Sequence, residues 1–74
     1  MEWIPIKERE PKTTRHILVT CKWKEDDYEA FELDYAVTKY YAKNGDDERH
    51  KRWCKMVIDH IIAWMPMPGP YKGV

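Results

Sequence analysis

Three histidines, two cysteines and a run of acids are the residues of this 74-residue chain whose chemistry could go beyond packing. His50 and Cys54 stand four apart, which would put an imidazole and a thiol on one face of a helix, and His60 follows in the same segment. A nucleophilic Cys/His pair needs a third group to orient the base and a turn of backbone N–H groups to hold an oxyanion. Neither is visible around Cys54. A structural zinc site needs ligands paired at close spacing such as Cys-x-x-Cys, and His16, His50, His60, Cys21, Cys54, Asp26 and Asp27 offer no such pair. The run Glu25-Asp26-Asp27 lacks the alternating oxygen ligands and the glycine of a calcium loop, and reads as a solvated turn. Glu32 and Asp34 read as strand carboxylates lying opposite basic residues rather than as a hydrolytic pair. No catalytic residue, metal or cofactor is expected.

Binding chemistry is better represented. Arg49-His50-Lys51-Arg52-Trp53 sets cations beside an indole, and Tyr40 with Tyr41 could add stacking surfaces for bases. Arg49, Lys51, Arg52, Trp53 and Tyr40 are therefore the candidate binding residues, weighed against the plainer reading of a charged, solvated loop. Thirteen basic side chains balance thirteen acids, so the whole molecule does not steer toward nucleic acid. The charge is unevenly spread along the chain: residues 1–24 and 49–74 are net basic, and residues 25–48 carry nine acids against Lys39 and Lys43. A fold that lays the acidic middle beside the basic ends would neutralise itself through cross-strand pairs. Pro66-Met67-Pro68-Gly69-Pro70-Tyr71-Lys72 has polyproline character with a nearby cation, but packing is its expected role.

The elements that must carry these residues come next. A chain this short makes one small domain, residues 1–74, burying about 60% of its unfolded surface. At 43% hydrophobic and 14% aromatic it is too apolar for a disordered tail. Residues 1–15, punctuated by Pro5 and Pro11, predict an extended lead-in, one helical turn and a loop. From His16 to Lys24, Ile17, Val19, Cys21 and Trp23 alternate with Leu18, Thr20, Lys22 and Lys24, which predicts a strand. Glu25-Asp26-Asp27 is a turn of hairpin length. The alternation resumes with Phe31, Leu33, Tyr35, Val37 and Tyr41 on one side, predicting a second strand over 28–42. Lys43-Asn44-Gly45-Asp46-Asp47 is a turn, since Asn and Gly tolerate positive φ.

Residues 48–65 carry two periods. Trp53, Met56, Val57, His60, Ile61 and Trp64 fall at helical spacing behind an Asp46 or Asp47 cap, whereas Val57, Ile58, Ile61 and Ile62 are β-branched. The expectation is an irregular or briefly helical stretch to about Cys54, then a strand to Met65 with Met56, Ile58, Ile62 and Trp64 on one face. Pro66 to Pro70 is expected as an extended exit that joins no central strand.

Both ends carry a signature. Trp3-Ile4-Pro5-Ile6-Lys7-Glu8-Arg9-Glu10-Pro11, then Ile17-Leu18-Val19, then Ile62-Ala63-Trp64-Met65-Pro66-Met67-Pro68 resemble a small phage and prophage family, domain of unknown function five-five-one. That family is similar in opening on Trp-Ile-Pro-Val and Glu-Arg-x-Pro, running through a Val-Leu-Val strand and closing on Trp-Met-Pro-Leu-Pro. The chain departs from it at Ala63, where a His often stands, and at Met67, where Leu is usual. The resemblance implies a context, a phage-encoded protein in the cytoplasm of a bacterial host, and no chemistry. The motif itself reads as a clasp in which Trp3, Pro5, Trp64 and Pro66 pack together, each indole covering the other segment's proline.

The fold class expected is mainly β, with small α+β as the variant: a three-stranded antiparallel sheet, one short helical segment and extended Pro-containing termini. No secretory signal is visible, and the longest apolar stretch, Ile61 to Met65, is far below the roughly 20 residues that span a bilayer. The function expected is a non-catalytic phage or prophage accessory protein that binds a host protein or a second copy of itself, with defence inhibition as one form. The alternative is a nucleic-acid module built on residues 49–53. No membrane partner is expected, and Cys21 and Cys54 are expected reduced.

Overall fold

The β-branched alternation of Ile17–Lys24 forms strand β2, whose Ile17, Val19 and Cys21 are buried on one face. The computed structural model describes residues 2–12 and 16–67. Asp26 turns the chain in the left-handed region at φ 62°, which a short polar side chain tolerates. Strand β3, Asp27–Leu33, returns antiparallel with Val19 opposite Phe31 and Ile17 opposite Leu33. The register slips between Lys22 and Lys24, leaving Trp23 as a bulged residue.

The second strand ends at Leu33, short of the expected Ala42. Asp34 caps a helix instead: its Oδ1 accepts from the Val37 N–H at 3.2 Å, and helix α1 runs Tyr35–Asn44. The period-two signal through Tyr35, Val37 and Tyr41 was carried by residues that point around a helix. Tyr35 and Thr38 are buried, while Val37, Tyr40 and Tyr41 are exposed. Gly45 closes α1 with its N–H on the Tyr41 carbonyl at 3.0 Å. Its φ of −65° is ordinary, so the glycine is needed for a different reason from the one expected: a Cβ there would lie 2.7 Å from the Tyr41 oxygen.

Asp47 then caps helix α2, Glu48–His60, its Oδ1 accepting from the N–H groups of Arg49 and His50. The helix runs six residues past the expected limit at Cys54. It buries Cys54 and Val57 and leaves Trp53 and Met56 outside, so the buried stripe is shifted from the one read at 53, 56, 57 and 60. Packing overrides the β propensity of Val57 and Ile58 because both lie on the face turned to the core.

The chain passes directly into strand β4, Ile61–Pro66, which pairs with β2. A register shift at Ile62 brings Ile61 and Trp64 to the same side, opposite Cys21 and Val19, and leaves Ile62 exposed. That bulge overturns the expected face of Ile62 with Trp64. Pro66 is the last residue of this interior strand, one further than expected, where a missing N–H only ends the ladder. The outer edge is strand β1, Ile4–Pro5, so the sheet has four strands in the order β1-β4-β2-β3, all antiparallel, against the three expected. The turn after β1 is as read: the N–H groups of Glu8 and Arg9 both reach the Pro5 carbonyl.

The architecture is α+β. α1 and α2 form a hairpin against the core face of the sheet, where Ile17, Val19, Cys21, Leu33, Tyr35, Val57, Ile61 and Trp64 make one cluster. The Cys21 thiol points at the Val57 carbonyl, 3.8 Å away. Burial, with the Glu29 carboxylate adding to it, pushes that thiol up to about 11, so Cys21 packs as a small hydrophobe.

The termini pair as expected, Ile4 against Trp64 and Pro5 against Ala63. The mutual covering of indoles and prolines does not follow. Ile4 and Trp64 share the core face, so strand alternation turns Trp3 and Pro5 to the opposite face, away from Trp64. Trp64 is covered instead by Arg9, whose guanidinium lies 5.8 Å from the ring centre and whose carbonyl accepts from the indole Nε1 at 2.8 Å. Trp3 remains 41% exposed. The segment from Pro68 onward, including most of the polyproline stretch, lies outside the described residues.

Candidate functional site

Helical periodicity splits the basic-aromatic cluster that the linear sequence held together. On α2, Lys51 and Lys55 stand four apart and face α1, where Lys39 and Lys43 are likewise four apart. With Ala42, Ile58 and Asp59 these four lysines line an open groove of about 410 Å³. Trp53 lies on the other flank. Its indole stacks with the His50 ring at 6.4 Å and 11°, His50 meets Tyr41 edge to face at 5.3 Å, and Tyr41 meets Tyr40 at 5.4 Å. The hairpin therefore presents a cationic flank and an aromatic one. Of the predicted residues, Lys51 belongs to the first and Trp53 to the second, with Arg49 and Arg52 exposed on the same turns of α2.

Tyr40 tops α1 between them. It helps line a second groove, about 480 Å³, with Glu10, Lys12, Tyr35, Lys39 and Lys43 among its walls. Reading the sequence missed the lysines at 39, 43 and 55, because Lys39 sat on a predicted strand and Lys43 in the predicted turn after it. An i, i+4 count from Tyr35, the first residue after the Asp34 cap, reaches Lys39 and Lys43.

The aromatic row is open to solvent. Trp53 is 47% exposed and Met56 44%, with Val37 and Tyr41 also exposed. Large apolar groups gathered on rigid helices and left uncovered mark interaction surfaces.

Electrostatics separate the two ends of the chain. His16 donates from Nδ1 to Glu32 at 2.6 Å, Lys22 pairs with Glu25 three residues on, and Lys39 of the acidic middle pairs with Glu10 of the N-terminal block, so among the described residues the expected neutralisation of the basic ends by the acidic middle is slight. Among the described residues no ion pair involves Lys43, Arg49, Lys51, Arg52 or Lys55. Arg49, Lys51 and Arg52 also crowd the N-terminal turns of α2, where the helix dipole disfavours positive charge. Folding gains nothing from placing cations there.

Glu10 ties the N-terminal loop to α1, accepting from the Tyr35 hydroxyl at 2.7 Å and from the Lys39 ammonium. Both bonds hold its carboxyl below the ordinary value of 4.5, with Lys39 the larger cause. Burial, with the Glu10 bond adding to it, raises the Tyr35 hydroxyl.

His50 and Cys54 do share a helix face, Nε2 to Sγ at 3.7 Å. Burial raises the Cys54 thiol, the reverse of what an activated thiolate requires. Among the described residues no group of three or more His, Cys, Asp and Glu side chains is placed to hold a metal ion. No helix among them is long and apolar enough to cross a membrane. Of the sheet edges, β1 is two residues long, and β3 is the long free one; its Glu29 accepts from the Trp23 indole at 2.9 Å and its Glu32 from His16.

A four-stranded antiparallel sheet backed by a helical hairpin, with its apolar and cationic surplus on the hairpin's outside, defines a small α+β domain. Residues 2–72 match the family described as "Protein of unknown function (DUF551)", and the chain belongs to that family. No curated protein and no solved structure matches it.

Proposed function

We propose that the protein is a non-catalytic phage or prophage accessory protein that acts by binding a protein of its bacterial host, and that the aromatic flank of the α1–α2 hairpin is its docking face. One observation carries this reading: Val37, Tyr41, Trp53 and Met56 stand exposed together on a rigid hairpin in a domain that has few apolar residues to spare. Trp, Tyr and Met at the centre with Arg at the rim is the composition of protein interfaces. Arg49 and Arg52 ask for acidic groups around an apolar cleft in the partner. Direct inhibition of a host defence is one form of this activity, and a second copy of the chain is the other occupant considered.

Nucleic-acid binding through residues 49–53 receives less support, because Lys51 faces away from the Trp53 stack. The test is affinity capture from bacterial lysate, with and without nuclease, using the wild-type protein and a Trp53→Ser/Met56→Ser variant. The expected result is one stoichiometric protein that survives nuclease and is lost with the variant. Capture that is unchanged by the variant, or that consists of nucleic acid alone, overturns the reading. Sedimentation of the isolated protein separates the second-copy occupant from a host partner.

A further inference from the structure

We propose that the lysine-lined groove between α1 and α2 is a separate binding site for the phosphate backbone of single-stranded nucleic acid, with Tyr40 as a stacking platform beside it. The lysines of the groove belong to no part of the aromatic flank, and the two surfaces meet at Tyr40, whose ring touches Tyr41. Four lysines line the groove, and Lys39 and Lys43 also line the neighbouring one with Lys12, so the cationic surface continues around α1. Within each helix the lysines are one turn apart, about 6 Å along the axis, a spacing that suits successive phosphates of one strand.

Two acids share these walls. Glu10 is engaged by Lys39 and Tyr35, and Asp59 makes no ion pair among the described residues. Among the described residues Lys43, Lys51 and Lys55 make no ion pair, in a molecule whose total charge is zero. Like charges gathered on facing helices repel one another, and the single Asp59 carboxylate in the groove does not balance four lysines. A bound phosphate chain would, and it would release counterions in doing so.

The shape of the site favours a single strand over a duplex. Both grooves are open and lie along the helices, joined at Lys39 and Lys43, and the Tyr40 ring, 59% exposed, stands on the wall of the second, where an unstacked base can lie on it. A lysine-lined groove of this kind reads the backbone and carries no sequence preference.

The experiment is fluorescence anisotropy of a labelled oligothymidylate against the full chain across a salt series, with the matching duplex as a second probe. Three unpaired lysines predict a slope of log K against log salt of about −2, at roughly 0.7 per neutralised phosphate. Lys43→Ala/Lys51→Ala/Lys55→Ala is expected to bring the slope near zero. The charge-matched control Lys7→Ala/Lys22→Ala/Lys24→Ala keeps it, and circular dichroism confirms that both variants fold. Tyr40→Ala is expected to weaken single-strand binding about tenfold at an unchanged slope. Absence of salt-dependent binding by the wild type overturns the proposal, as does equal loss in both triple variants or tighter binding of the duplex.

Discussion

The sheet and the helical hairpin use the same kinds of side chain in opposite ways. In the sheet, Ile17, Val19, Ile61 and Trp64 are turned inward and their area is removed from water. On the hairpin, Tyr40, Tyr41, Trp53 and Met56 are turned outward, although the helices also have a buried side, where Tyr35 and Val57 join the core and Thr38 and Cys54 are covered. Apart from Tyr35, the buried groups of the helices are small or modest, and the other large ones are displayed. A domain with about 3–5 kcal/mol of net stability has every reason to bury its aromatics. Leaving three of them and Met56 outside on one hairpin is the pattern of a surface that is covered by something else.

The largest effect that tests this contrast is expected at the sheet. Trp64→Ala removes a buried indole together with its bond to the Arg9 carbonyl, at a cost of about 3–5 kcal/mol, comparable with the whole stability. Loss of the cooperative thermal transition, read by circular dichroism, is the expected outcome. A folded Trp64→Ala protein with a near-normal melt would break the assignment of stability to the sheet.

Next is the hairpin's own hinge. Gly45→Ala places a methyl 2.7 Å from the Tyr41 carbonyl and forces the α1–α2 turn to shift, at a cost of about 1–3 kcal/mol in urea unfolding. A neutral result would mean that the turn yields freely, and that the two flanks of the hairpin are not held rigidly.

The joint between the N-terminal loop and α1 gives a smaller, pH-dependent effect. Glu10 has a folded pKa depressed by Lys39 and Tyr35, so its contribution is present above the unfolded value near 4.5 and is lost as pH falls through the lower folded value. Glu10→Gln should lower the melting temperature at neutral pH and flatten its decline in acid. Parallel acid profiles for the two proteins would remove Glu10 from the account.

The smallest stability effect should come from the most conspicuous residue. Trp53→Ala is expected to change stability by no more than about 0.5 kcal/mol, because nearly half of the side chain already meets water. A loss above about 1.5 kcal/mol would show that the indole is structural and would end the contrast with Trp64.

Where local chemistry acts alone, the chain was readable. β2, the turn at Asp26, a cap at Asp46 or Asp47 and the side-by-side meeting of the two Trp/Pro segments follow from alternation, from short polar side chains and from the signature at both ends. α1 was hidden because Phe31, Leu33, Tyr35 and Val37 keep a period of two straight through the Asp34 cap, and only the burial of Thr38 shows which period governs. Trp53 was a candidate binding residue on a regular helical stripe, and a parallel stripe one residue over, Cys54, Val57 and Ile61, is the one that packs. The candidate cluster was contiguous in sequence, and consecutive helical residues point in different directions. Hence Lys51 and Trp53 serve opposite flanks.

Family membership, one small domain, the principal strand and the inventory of cations and rings were all present in the amino-acid sequence, since each depends on residue identity or on near-neighbour spacing. The tertiary structure alone decided that α2 continues to His60, that a bulge at Ile62 joins Ile61 to Trp64, and that lysines from two helices share one groove. Those outcomes depend on which face meets the sheet, a choice made by long-range packing between residues far apart in the chain.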